Sequence, residues 1–299
     1  FNVAVGTSAL SADTLGSNST AIGWSALAAQ NFSTATLSYN TAVGFKAGLS
    51  VTSGVQNTLV GGLSGDALTQ GARNTAFGYA TLTSDTLGQY AVAIGYGALN
   101  EQNFTTATNN YNVAIGYLAG ETVSTAVQNT LVGGLVGDAL TTGGENSAFG
   151  YAALSSETTG TSNTALGNLS LLSQNGATAN TAVGYNSGRS ITTGTKNVIM
   201  GTFAGDALTD ADQNVAVGYG ALTSDTFGSN SVAVGNNALE SQNHTTATDA
   251  FNTAVGGNAG NAITDAVRNT LVGGVAGDAL TSADFNTAVG YGALTSDTL

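Results

Sequence analysis

Glycine returns along this chain at a fixed step. It closes a five-residue unit, Asn286-Thr287-Ala288-Val289-Gly290, which recurs unchanged at 40–44, 180–184 and 252–256 and with small changes throughout. From Gly6 to Gly290 the closing glycines are 17 residues apart, except for three steps of 21 that end at Gly44, Gly116 and Gly256. A strict period in this range marks a repeat architecture, in which each unit buries its apolar side only by stacking on its neighbours. Length alone would suggest one or two globular domains. The repeat replaces that expectation with one repetitive domain over 1–299, free of linkers.

Within the unit, the second position is Thr or Val apart from Ser147, and the fourth is always large and apolar. β-Branched residues two apart, ended by glycine, read as a short strand with positions two and four on one face. The third position, on the other face, is Ala except at Leu59, Leu131, Ile199 and Leu271. Neither face is polar, so one fills the interior and the other packs on something else. Alanine is expected on the outer face, where a small side chain lets chains approach closely about an axis.

The ninth position runs Leu, Leu, Gly, Gly without exception, as in Leu82, Leu99, Gly120 and Gly137. Where the fourth unit has glycine there, its third position carries the Leu or Ile, a large-for-small exchange that close packing would demand. The third unit regains volume at Val51, Val123, Ile191 and Ile263. Together these features predict an all-β fold: a parallel β-solenoid of about 17 short coils, each with two short strands and two tight corners of Gly, Asn, Ser and Asp.

The lengthened unit is always the second of four. Its additions are Gln30-Asn31-Phe32-Ser33-Thr34, Gln102-Asn103-Phe104-Thr105-Thr106 and Gln242-Asn243-His244-Thr245-Thr246. A length change that leaves the flanking register intact belongs in a surface loop. Asn31, Phe32, Asn103, Phe104, Asn243 and His244 are therefore the candidate receptor-contact or glycan positions, with Phe32 and Phe104 expected to be exposed. Each addition holds an Asn-x-Ser/Thr glycosylation triplet, although Asn18-Ser19-Thr20 and Asn168-Leu169-Ser170 match as well. His244, the single histidine, is read as a tolerated surface replacement for Phe.

The remaining columns read as scaffolding. Asn opens fourteen of the units and is expected to form an amide ladder from coil to coil. An aromatic column follows the glycine, from Trp24 and Phe45 to Tyr291, and is read as cover for apolar surface. The Asp of each Gly-Asp-Ala-Leu recurs only every fourth coil, roughly 19 Å apart at ~4.8 Å per coil, so these residues take corner roles and cannot share a calcium ion. No acid/base pair or nucleophile stands out from the repeat, and neither an enzyme, a cofactor nor a metal is expected. A net charge of −13 with five Lys plus Arg offers no basic stripe for nucleic acid or anionic lipid. No apolar run approaches membrane-spanning length.

The units Asn-Thr-Ala-Val-Gly-Tyr-x-Ala-Leu and Ser231-Val232-Ala233-Val234-Gly235 resemble the head repeats of YadA-like trimeric autotransporter adhesins, and similar repeats occur in bacteriophage tail fibres. The resemblance covers the whole chain, although the coil is longer than is usual in that family. It implies a left-handed parallel β-roll, three chains side by side, and an extracellular, cell-surface or virion-surface role in attachment to a host glycan or protein. An ice-binding solenoid is the alternative from another class, with threonine at position two, and a β-helical polysaccharide lyase or hydrolase is a third. Thr295 to Leu299 break off where Thr223 to Phe227 continue, which reads as an excerpt of a longer fibre or as end-to-end joining into a filament.

Overall fold

A computed structural model describes residues 1–296. The described residues form an all-β structure without helix, a parallel β-solenoid of about 17 coils. The coils fall into two compact units, 1–146 and 147–299. In the first, three-residue strands run from Val3–Val5 to Thr130–Val132; in the second, from Ser147–Phe149 to Thr287–Val289.

Within each unit neighbouring strands pair in parallel and in register with the repeat. Thr41, Ala42 and Val43 face Thr58, Leu59 and Val60, and Val198, Ile199 and Met200 face Val215, Ala216 and Val217. The 21-residue steps keep this register, as Val92 to Ile94 against Val113 to Ile115 show. A second strand in every coil was expected but does not form. Among the described residues, two-residue strands occur only beside the additions, where Gly16–Ser17 pairs with Thr36–Leu37, Gly88–Gln89 with Thr108–Asn109, and Gly228–Ser229 with Thr248–Asp249. The short coils turn through the rest of their circuit in bends.

The assignment of strand faces is reversed from the sequence expectation. Ala21, Ala42, Ala93 and Ala114 at position three are fully buried inside the coil, whereas Phe77 at position four is 55% exposed. The reason is volume. The coil is thin, and position three meets the ninth-position leucines from across it, which leaves room for little more than a methyl group. The exceptions prove the point: a Cβ added to Gly48 would lie 2.7 Å from Leu59 Cδ1, and one added to Gly65 would lie 2.8 Å from Leu59 Cδ2. Leu59 fits because positions nine on either side are glycine, so the expected exchange of large for small is present.

The corners carry backbone strain. Leu27 and Leu99 adopt φ of 48° and 50° yet are fully buried. A left-handed conformation costs a non-glycine residue about 1–2 kcal/mol, and burying a leucine side chain contributes about 1.5–3 kcal/mol. Burial therefore carries the turn. Gly44, with φ of 141°, is different: any Cβ there would strike the carbonyl of Gly61 in the next coil, so the closing glycine is required by stacking itself.

The asparagine column is a ladder, but its rungs end on backbone. Asn57 N–H donates to Asn40 Oδ1 at 2.9 Å and Asn74 N–H to Asn57 Oδ1 at 3.0 Å. Each side-chain NH2 in turn donates to a corner carbonyl, Asn57 to Gly71 and Asn74 to Gly88, both at 2.9 Å. Asn197 and Asn214 repeat the arrangement in the second unit. These amides are buried; they satisfy main-chain groups that would otherwise be stranded in the interior, and they are not a polar stripe open to ligands.

Candidate functional site

Among the described residues, position twelve of the coil points inward, and it follows its own four-coil rhythm. Asp85, Gln102, Val123 and Leu140 occupy it in succession in the first unit, all buried. The polar pair sits where the chain lengthens. Asp85 Oδ1 accepts N–H from Gly88 at 3.0 Å and from Phe104 at 3.1 Å, and Oδ2 accepts from Gln102 Nε2 at 2.7 Å. Gln102 Oε1 accepts from Asn112 Nδ2 at 2.9 Å, which ties the carboxylate to the asparagine ladder. The same relay runs through Asp13, Gln30 and Asn40, and in the second unit through Asp225, Gln242 and Asn252. Burial pushes the Asp85 carboxyl above the usual carboxylate value, although its Gln102, Phe104 and Gly88 donors pull the other way.

Phe32 and Phe104 do not face solvent, which corrects the sequence expectation. Phe104 is 5% exposed, and Phe32 and His244 are equally buried. The added residues let each ring fold back over the corner glycine beside the carboxylate. A Cβ on Gly16 would lie 2.9 Å from Phe32 Cδ2, and one on Gly228 would lie 2.7 Å from His244 Nδ1. The ring keeps water away from the relay, so its reason is local packing.

His244 is accordingly an interior residue and not a surface replacement. Its N–H donates to Asp225 Oδ1 at 2.9 Å, and its Nδ1 lies 3.5 Å from Asp225 Oδ2. This is the one ion pair found among the described residues. Burial opposes a charged imidazole, but the hydrogen bond and charge of Asp225, with a lesser contribution from Asp265, outweigh it and hold His244 above the ordinary histidine value. Burial would likewise raise Asp225; the His244 and Gln242 donors win, and its carboxyl lies below the usual value.

What the loops do present is the asparagine and a ring that the sequence reading missed. Asn31, Asn103 and Asn243 are exposed, each Oδ1 accepting a threonine hydroxyl from the preceding coil: Thr14 at 3.0 Å, Thr86 at 3.2 Å and Thr226 at 3.2 Å. At the end of each addition stands an exposed aromatic residue, Tyr39, Tyr111 or Phe251. All three hold left-handed φ near 50°. Their signal was available: each immediately precedes the Asn that follows an addition, and in the unlengthened equivalent that place is taken by Ala179. Tyr111 stacks on Tyr90 at 5.3 Å between centroids, and Arg73 covers Tyr90.

The second surface feature is the outward sheet face. Positions two, four and six contain no charged residue in any coil. In the first unit the sixth-position rings stand exposed and stack, Trp24 on Phe45 at 5.1 Å and Tyr96 on both Tyr79 and Tyr117 at 5.6 Å. In the second unit Tyr151, Tyr185 and Tyr219 are exposed, and Phe203 meets Tyr185 and Tyr219 edge-on. The Gly-Asp-Ala-Leu aspartates lie at corners, where the carbonyls of Asp66 and Asp206 accept Ser50 and Ser190 N–H. Burial raises the Asp66 and Asp138 carboxyls, and Asp206 accepts the Thr223 hydroxyl. Among the described residues no three His, Asp or Glu side chains gather where a metal ion would sit. Comparison with protein-family profiles, with curated proteins and with solved structures finds no match for this chain.

Proposed function

We propose that this chain is a segment of a non-enzymatic surface fibre, structural and adhesive, that assembles side by side as a homotrimer outside the cell or on a virion. One observation carries the reading: a chain of net charge −13 keeps every charge off positions two, four and six while exposing Val, Ile, Phe and Tyr there. Depletion of charge around aromatic and aliphatic side chains characterises the core of a protein–protein interface, and a soluble monomer rarely leaves so many apolar side chains open in one strip, even one shared with threonines and crossed at Trp24 and Phe45 by the Lys46 ammonium. A second copy supplies the matching cover. The association surface is thus the valine, isoleucine and aromatic side of the sheet, in place of the alanine side. A left-handed roll and kinship with the adhesin head repeats, or a tail-fibre shaft, fit this reading.

Sedimentation velocity on the chain at micromolar concentration tests it. A threefold mass is expected, and Ile94→Asp with Ile115→Asp should shift the mass to that of one chain while far-UV circular dichroism stays unchanged. A monomeric wild-type chain sinks the proposal. The adhesive part rests on the exposed loops, and a glycan array probed with the assembly and with Asn31, Asn103 and Asn243 replaced by Ser reads it directly. The ice-binding alternative draws on the outward Thr and Val columns, such as Thr58 and Val60. The rings that protrude beside them interrupt the flatness that ordering of water requires, so no thermal hysteresis is expected.

A further inference from the structure

We propose that His244 and Asp225 form a pH-sensitive latch that holds the third lengthened loop, residues 242–249, against its coil, while the first two loops are held without one. Asn243 N–H donates to Thr264 O at 2.7 Å and the strand Thr248–Asp249 pairs with Gly228–Ser229, and between these two ties the loop is held through His244. His244 contributes its N–H and ring to Asp225, Gln242 Nε2 reaches Asp225 Oδ2 at 2.5 Å, and His244 O accepts from Phe227 N–H and Thr226 Oγ1. Phe32 and Phe104 occupy the same place in the other loops with rings that carry no charge. The charged groups facing the imidazole are Asp225 from the preceding coil and Asp265 from the following one. Asp265 is exposed, and salt screens it. Nε2 is buried without a hydrogen-bond partner and Asp265 adds a lesser pull from the following coil, so Asp225 is the main group that fixes the ring.

The direction follows from linkage. His244 is held above its ordinary value, so its contribution is complete below about 6.5 and is lost as pH rises through the folded-state value. Asp225 lies below 3.8, so its contribution is present above 3.8 and lost as pH falls through its own lower value. The latch is closed between these limits and releases on the alkaline side. Raising the pH removes the imidazole charge and with it the ion pair; the neutral ring keeps only an Nδ1–H hydrogen bond to the buried carboxylate, which loosens residues 244–246 ahead of the strand Thr248–Asp249. This holds whether or not the loops bind a receptor.

Because the chain has one histidine, its ring resonances report the latch without assignment. In the full chain, the NMR titration is expected above 6.5; a midpoint at or below 6.5 overturns the proposal. Hydrogen exchange supplies the second reading, with residues 103–109 as the reference for the intrinsic pH dependence. Protection of 243–249 relative to that reference should fall by about tenfold per unit by which His244 is raised as pH is taken from 6 to 9. His244→Phe restores the residue of the other two loops and should make the ratio flat, and Phe104→His should import the pH dependence into the first unit. A ratio that falls equally in His244→Phe, or stays flat in wild type, overturns the latch.

Discussion

The coil pair around Asp85 and the pair around Glu157 solve one problem with different lengths of chain. In the first unit the carboxylate is an aspartate, and four extra residues bring Phe104 N–H and its ring to it. In the pair around Glu157 the step stays at 17, and the carboxylate is one methylene longer. Glu157 Oε1 accepts N–H from Thr158 at 2.9 Å, Thr159 at 3.0 Å, Gly160 at 2.5 Å and Gly176 at 2.7 Å, and Oε2 accepts Gln174 Nε2 at 2.8 Å. Gln174 then passes to Asn180 as Gln102 passes to Asn112. The buried relay is therefore what the coil requires, and the added residues are one of two ways to complete it. Whatever else the additions display, namely Asn103, Thr105 and Tyr111, is not needed to close a coil.

The largest effect should come from deleting the carboxylate in either setting. Asp85→Ala leaves the donors of Gly88, Phe104 and Gln102 without partners, and Glu157→Ala strands those of Thr159 and Gly176 and takes from Gln174 Nε2 one of its two acceptors. At about 1–3 kcal/mol for each stranded buried group, with part of the set relaxing to water, a loss of about 4 kcal/mol is expected for each. Urea unfolding measures it; a loss under about 1 kcal/mol would show that the relay is incidental.

Exchanging the two solutions sharpens the comparison. Glu157→Asp shortens the reach in a coil with no ring to compensate, and Asp85→Glu forces a methylene into a space sealed by Phe104. Each should cost about 2 kcal/mol, the first through lost hydrogen bonds and the second through overpacking. If Glu157→Asp is neutral, the longer side chain does not substitute for the added residues and the parallel fails.

Acid should separate the Asp85 site from its His-bearing counterpart. Asp85 is raised by burial, so its contribution is fully present below 3.8 and is lost as pH rises through its folded value. Asp225 is lowered, so its contribution is lost as pH falls through its folded value below 3.8. Taking the chain from pH 5 to pH 3 should hold or tighten exchange protection at Phe104 and begin to loosen it at His244. Equal loosening at both would remove the distinction.

Much of this was readable from residues alone, and the failures share a cause. The period, the strand, the register and the exchange between Leu59 and Gly48 depend on neighbours at the repeat spacing, which periodicity displays. Which strand face turns inward does not. Alternation separates Ala42 from Val43 without saying which is inside, and both are apolar; the decision comes from the narrow bore between position three and Leu27 or Leu99. The burial of Phe32 was hidden for a related reason. Its ring packs over Gly16 beside the half-buried Asp13, a coil away, and an aromatic residue in an addition reads as exposed until that neighbour is known. Tyr39 and Tyr111 lie outside the five-residue unit, in a column that also holds Gln56, Arg73 and Ala179, so periodicity does not single them out.

Those rings give the smallest stability effect and the clearest functional one. The short coil has Ala179 where the lengthened ones carry Tyr39 or Phe251, and it completes its relay without them. Tyr39→Ala and Phe251→Ala should therefore change unfolding free energy by no more than about 0.5 kcal/mol, as exposed positions do, while retention of the assembly on its target surface falls. Should either substitution cost 2 kcal/mol or more, the ring would be holding the loop in place, and the additions would be explained by folding alone. Unchanged stability with weakened attachment would instead make these rings, which the unlengthened coils of Tyr90 and Phe285 carry at the same place, part of the attachment surface.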